Sequence, residues 1–345
     1  MKKAAYDVAV IGATGIVGRE IVAVLAERGF PLGRMRLFAT RASLGQEIEG
    51  GDTAVEELAA DTELSGTDIV FLACPPAVAR PWRQRAVAAG AFVIDASACR
   101  GESEAVLMVV PEVNARVLAT ARESRCVASP HPTAVALAVV LHPLRQLAGL
   151  ARVAATVLEP VSLAGRTGVE LLEREVRSLL SGAEPEPSDA FPQRVAFNVC
   201  PVGSWATGFG RASSDGEEAV QHLRQVLEAP TLPVELSRVQ VPVFFGLAMT
   251  VSVGWSTKVD FATVLQQLRT APGLLLVESS DAAAEAAFPL PTPATVVGSD
   301  ATHVACVGVD PDVPGVHLWV ALDNTRKGSA TNAVQIAELL VRDYL

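Results

Sequence analysis

Hydrophobic and polar positions follow two different regimes along this chain. Asp7–Ile11 (DVAVI) is a continuous apolar stretch that predicts a buried strand. A Gly-rich turn and a helical period from about Gly15 to Arg28 follow, stopped by Gly29 and Pro31. Further strands are expected at Met35–Ala39, near Ile69–Ala73, at Phe92–Asp95 and at Cys126–Ser129, with helices at Ala77–Ala89 and Thr133–Leu147. Uninterrupted apolar strands alternating with helical periods imply a parallel sheet covered on both faces. Beyond this point Arg152–Glu159, Arg238–Phe245, Leu247–Val253 and Val316–Leu322 are β-rich and widely separated, which predicts an α+β domain on a mixed sheet. Ser181–Pro192 reads as a loop, and Asp281–Ala287 as a surface helix or loop. Ala330–Tyr344 has apolar residues at helical spacing, and we expect it to pack back on the first domain.

Composition sharpens this two-domain α/β picture. At 345 residues, half of them hydrophobic, the chain is too long for one ordinary core and can fill two. Lys and Arg total 28 against 38 Asp and Glu, and no basic run breaks the formal charge of −10, so nucleic acid is not an expected partner. No apolar run reaches the roughly 18 residues of a membrane span. Met1-Lys2-Lys3 runs straight into Tyr6-Asp7 with no signal-peptide pattern, so a cytoplasmic, membrane-free location is expected. The five cysteines are irregularly spaced and suit a reducing compartment. Cys74 and Cys126 read as core residues, and no Cys/His cluster has metal-ligand spacing.

The chemistry begins at the first turn. Gly12-Ala13-Thr14-Gly15-Ile16-Val17-Gly18 follows a strand and opens a helix, the context that makes a glycine pattern a dinucleotide-binding signal. Gly12 permits the tight turn, Gly15 lets backbone approach a pyrophosphate, and Gly18 lets helix and strand lie close. The helix N-terminus supplies N–H donors to phosphate. The second strand ends in Ala39-Thr40-Arg41-Ala42-Ser43, with no acid to hold a ribose 2′-hydroxyl. Thr40 and Arg41 suit a 2′-phosphate and favour NADP over NAD; Arg41 as a solvated surface residue is the plain alternative.

Several segments together resemble the aspartate-semialdehyde dehydrogenase family. They are GATGIVG after the first strand, VVPEVN (Val109–Asn114), AFN (Ala196–Asn198), VPVFFG (Val241–Gly246) and DNTRKGSATNAVQIAELL (Asp323–Leu340), in the family's order and near its spacing. The resemblance implies a Rossmann-type dinucleotide-binding domain over residues 1–131 and an α+β dimerisation and substrate domain over 132–323. The C-terminal helix, 324–345, then returns to the first domain. It also implies a homodimer, NADP as cofactor with Asn324 and Gly328 in its loop, and a small carbonyl or acyl-phosphate ligand. In the family a cysteine thiolate attacks the acyl carbon and a histidine serves as acid and base.

The catalytic positions carried over by this resemblance are all substituted. Where the family has Asn-Cys-Ser/Thr before a helix, this chain reads Ser129-Pro130-His131-Pro132-Thr133, with Pro132 at the cysteine's place. The strand V-P-V-x-x-G-H ends in Leu247 instead of His. Seven residues earlier, Gln240 replaces the arginine that clamps a substrate carboxylate. Glu159 replaces a glutamine near the nucleophile, and Gly101 falls where a phosphate-binding arginine belongs, with Arg100 one place early. The chain thus resembles most the divergent Usg-type members. Cys99 could serve as a relocated nucleophile and otherwise is a small filler; His131 could act as an acid/base and otherwise is a capping or solvent-facing residue. Glu159 as a new general base is a third substitute, against a polar residue filling a vacated pocket. The expectation is an NADP-binding homologue with little or no semialdehyde dehydrogenase activity. A noncovalent reductase of a small carbonyl, or a regulatory dimer partner of an active paralogue, are the rival readings.

Overall fold

The computed structural model describes residues 3–50, 53–97, 106–202, 214–278, 290–309 and 314–345. In chain order come β1 (Tyr6–Ile11), α1 (Ile16–Glu27), β2 (Leu32–Ala39), β3 (Val55–Glu57), β4 (Ile69–Leu72), α2 (Pro76–Ala88), β5 (Phe92–Asp95), β6 (Leu107–Met108), α3 (Pro111–Asn114) and β7 (Cys126–Ala128). Next are α4 (Pro132–Arg145), β8 (Leu150–Glu159), α5 (Arg166–Leu180), β9 (Cys200–Val202), α6 (Ser214–Val226), β10 (Val234–Gln240) and β11 (Leu247–Trp255). The rest are α7 (Phe261–Thr270), β12 (Leu274–Val277), α8 (Pro293–Val296), β13 (Thr302–Gly308), β14 (Gly315–Leu322) and α9 (Thr331–Asp343). Contacts divide the chain into two compact units, Met1–His131 with Gly328–Leu345, and Pro132–Lys327.

In the first unit the strands form one sheet in the order β3-β2-β1-β4-β5-β7-β6, parallel at every pairing. Successive residues of a strand point to opposite faces. Val8 and Val10 therefore join one apolar cluster with Ile21, Val22 and Leu25 of α1 and with Val334, Ile336 and Leu340 of α9. Ala9 and Ile11 join another with Ala79, Trp82 and Ala86 of α2. Each such large side chain contributes about 1.5–3 kcal/mol by leaving water. An ion pair fastens α9 to α1, Arg28 Nε to Glu338 Oε1 at 2.7 Å and Nη2 to Oε2 at 2.8 Å.

The second unit has a mixed sheet in the order β12-β13-β14-β11-β8-β10-β9. β8 pairs parallel with β10 and antiparallel with β11. One face is covered by α4, α6 and α7. α4 is apolar nearly all round and almost wholly buried, as a helix enclosed on all sides must be. On the opposite face, Ala154 and Thr156 of β8 lie beside Ser252 and Thr250 of β11, which lie beside His317 and Trp319 of β14. Apart from Trp319, which packs against Ala248, Val296 and Ala321, these side chains are small or polar, and all are half-buried or exposed.

Several elements depart from the sequence reading. Helices α5, α6 and α7 and strands β9, β12 and β13 were not anticipated, so the second unit has more covering helices than its sequence suggested. In α5 the buried stripe includes a carboxylate, Glu175, which weakens the hydrophobic period. The strand expected at Arg238–Phe245 is Val234–Gln240. Pro242 lacks the N–H that a ladder needs, and Gly246 turns the chain at φ 89°. The second unit runs to Lys327, four residues past Asp323, because the side chains of 324–326 are bonded into it. The segment Asp281–Ala287 lies outside the described residues. Among the described residues no helix is long and apolar enough to cross a membrane.

Candidate functional site

The glycine turn behaves as its spacing demands. Gly12 has φ 90°, and a Cβ there would stand 2.4 Å from the Ala73 carbonyl oxygen. A Cβ on Gly18 would stand 2.1 Å from the Gly12 oxygen, so helix and turn meet this closely only because Gly18 has no side chain. The N–H groups of Gly12 and Ala13 both donate to the Phe38 carbonyl, at 2.8 and 3.0 Å, and are thereby used by the fold. The donors offered to an anion are narrowed to the first turn of α1. Its N-cap, Gly15, has no side chain to satisfy them, and Ile16 and Val17 have no acceptor within the helix. The Arg19 guanidinium binds the Thr14 carbonyl and reaches Gln46 and Glu47, so it braces the turn. Phe38 precedes the end of β2, where Thr40 and Arg41 are exposed and Arg41 opens a short 3₁₀ turn. The free amides of the first turn of α1 are of the kind that hold a dinucleotide's pyrophosphate.

At the ends of β5 and β7 the polar groups form two hydrogen-bonded sets. Asp95 is fully buried; Arg83 donates to its Oδ2 from Nη2 at 2.8 Å and from Nε at 3.1 Å, and the Ser97 N–H donates to Oδ1 at 2.8 Å. The Asn332 amide of α9 donates to Ser129 Oγ and to the Val109 carbonyl, both at 2.9 Å. His131 is buried, so the solvent-facing reading is set aside. Cys126 is buried, whereas Cys74 is only half-buried. Burial, with Asp95 nearby, pushes the Cys74 thiol up to about 12, the opposite of an activated nucleophile. Cys99, Arg100 and Gly101 lie outside the described residues.

In the second unit, Pro132 is the first residue of α4, where a missing N–H costs nothing. Leu247 is fully buried and pairs with Leu322. Gln240 donates from Nε2 to the backbone oxygens of Glu159, at 2.7 Å, and Val241, at 3.2 Å. Glu159 is not a free carboxylate. Arg238 grips it bidentately, Nε to Oε1 at 2.5 Å and Nη2 to Oε2 at 3.0 Å. Arg238 was not singled out from sequence; its only signal was its place two residues from Gln240, on the same face of β10. Asn324 is also committed within this unit. Its Oδ1 accepts the Gly246 N–H at 3.0 Å and its Nδ2 donates to Ser162 Oγ at 3.0 Å. Asp323 organises the following turn by accepting from the Thr325 and Arg326 N–H groups. Gly328 is buried at the start of the C-terminal part of the first unit. Among the described residues no group of three His, Cys, Asp or Glu side chains could hold a metal ion.

A parallel-sheet nucleotide-binding unit with this turn, joined to a unit built on a mixed sheet, defines a two-domain dehydrogenase-type protein. Residues 7–121 match the model of the semialdehyde dehydrogenase NAD binding domain, and residues 141–327 that of the semialdehyde dehydrogenase dimerisation domain. The chain belongs to the semialdehyde dehydrogenase family. It is 39% identical over 98% of both chains to a USG-1 protein homolog of Azotobacter vinelandii. It is 33% identical over 99% of both chains to the aspartate-semialdehyde dehydrogenase of Rickettsia bellii. The crystal structure of aspartate semialdehyde dehydrogenase II from Vibrio cholerae has a TM-score of 0.89 at 32% identity, over 99% of this chain and 100% of that one.

Proposed function

We propose that this chain is an NADP-binding, homodimeric family member in which phosphorylating semialdehyde dehydrogenase chemistry has been lost or nearly lost. The observation that carries the reading is the bidentate Glu159–Arg238 pair. It uses up the only carboxylate among the substituted positions, the one that might have served as a new base. Pro132 has no nucleophilic atom and Leu247 cannot move a proton. The Gln240 amide is bonded to backbone and carries no charge for a carboxylate. Losing a nucleophile alone typically costs several orders of magnitude in rate. When bound, NADP would supply or accept a hydride; the first turn of α1 would hold its pyrophosphate, and Thr40 and Arg41 its 2′-phosphate.

The protein should show no phosphate-dependent reduction of NADP by aspartate semialdehyde. Pro132→Cys alone should not restore it, and adding Leu247→His and Gln240→Arg should be required before weak activity appears. A wild-type turnover within about tenfold of an ordinary 10 s⁻¹ would refute the proposal. Its loss in Cys99→Ala would then place the nucleophile at Cys99. The homodimer is supported by the dimerisation-domain match and by the sheet face opposite α4, α6 and α7, where Thr250 and His317 are exposed and Ser252 is half-buried. Sedimentation at micromolar concentration should give twice the 36.1 kDa chain mass, and a monomer would contradict it.

A further inference from the structure

We infer that Glu159 is a built-in counter-ion that turns the second unit's binding site from anionic to uncharged ligands, so the substrate class is a small neutral carbonyl compound such as an amide-bearing ketone or aldehyde. The inference rests on the proposed reading that Glu159 and Gln240, at the ends of β8 and β10, stand at substituted positions of the family's site. Arg238 and Gln240 share one face of β10, and their partners in register on β8 are Val157 and Glu159. The guanidinium is therefore delivered to the same place as the carboxylate. The two side chains are only 10% and 4% exposed. A carboxylate taken out of water to this degree needs a counter-ion, and the planar guanidinium meets it with two parallel bonds. Gln240, the other polar side chain on this face of β10, is committed as well. Gln240 gives its amide hydrogens to two backbone oxygens. On α6, a Cβ at Gly216 would lie 3.3 Å from Arg238 Cδ, so that helix lies against the arginine side chain where it passes.

An incoming carboxylate would thus meet a guanidinium already neutralised and a second carboxylate that repels it. It would have to shed its water with no new counter-ion. A primary amide of the same shape carries no charge to desolvate and loses far less. Glu159 occupies the position a ligand's carboxylate would otherwise take on Arg238.

The test is a matched pair of probes, levulinamide and levulinate, which differ by one charge. Binding to the full-length protein is measured by calorimetry and ligand-observed NMR, independently of any turnover. Wild type should bind the amide tighter by about tenfold or more, and Glu159→Gln should reverse the preference by a similar factor, because it frees Arg238 for the acid. The double variant Glu159→Gln, Arg238→Gln is neutral again and should return to the amide. Should the single variant fail to fold, wild type and the double variant still decide the matter, since both must prefer the amide. Equal binding, preference for the acid in wild type, binding of neither probe, or an unchanged preference in Glu159→Gln would each overturn the inference. Preference for the acid without any dehydrogenase activity would overturn it while leaving the proposed function standing.

Discussion

Gly18 and Gly15 sit three residues apart in one turn, and the structure assigns them different duties that two alanine substitutions separate. Gly18 lies inside α1, where alanine is worth about 1 kcal/mol more than glycine by helix propensity. Its new Cβ, however, would meet the Gly12 oxygen at 2.1 Å, Ala13 Cα at 2.8 Å and Gly12 C at 2.9 Å. All three atoms are backbone, in a turn already fixed by the Phe38 carbonyl, so none can rotate away. The helix must back off by about an ångström, an overpacking cost of about 3 kcal/mol. The net loss is about 2 kcal/mol, which for a unit of this size lowers Tm by about 4–8 °C. Gly15 has φ −71° and ψ 168°, which alanine adopts freely, and its Cβ would find only the Gly12 oxygen at 3.2 Å and the Ala73 oxygen at 3.7 Å. Gly15→Ala should therefore shift Tm by no more than about 2 °C, a modest N-cap cost. Its methyl group would be added at the helix start where backbone is offered to the pyrophosphate, and NADP affinity should fall by about tenfold or more. Scanning fluorimetry and calorimetric titration of both variants give the two readouts. If Gly18→Ala melts with wild type, or Gly15→Ala binds NADP as tightly as wild type, the division of labour is wrong.

Two further outcomes follow from particular side chains. Arg41→Ala should weaken NADP binding by about 1–3 kcal/mol, the range for a charged hydrogen-bond donor, and leave NAD nearly unchanged; equal losses for both cofactors in calorimetry would remove Arg41 from the 2′-phosphate site. His222 is buried on α6, and desolvation pushes it down to about 4, outweighing a Glu218 carboxylate oxygen 3.7 Å from Nε2, beyond hydrogen-bond length. The unfolded chain takes up this proton near pH 6.5 and the folded chain does not, so the stability His222 contributes is complete above that pH and is lost as pH falls toward 4. The loss amounts to about 3 kcal/mol on the unit-shift scale. His222→Gln should flatten urea-denaturation stability over this window, and an unchanged pH slope would contradict the assignment.

Much of the nucleotide-binding unit was legible in the order of residues alone. A five-residue apolar strand, glycines at 12, 15 and 18 and a helical period are local features. The physics that makes them a phosphate turn, positive φ at Gly12 and absent side chains at a helix start, acts within a dozen residues. The identities of the substituted positions were equally plain, because a proline, a leucine or a glutamine excludes certain chemistry wherever it sits. What they do instead was decided by the tertiary structure. Glu159 and Arg238 are 79 residues apart, and only the parallel register of β8 and β10 brings them face to face. The same holds for Asn324, read from sequence as a cofactor residue, whose amide joins Gly246 and Ser162 across 78 and 162 residues. The Gly12 and Ala13 amides were spent on Phe38, a residue of the neighbouring strand. A polar side chain's partners depend on which strands become neighbours and in which register. That choice is made by the burial of whole strand faces, which the sequence near any one of these residues does not encode.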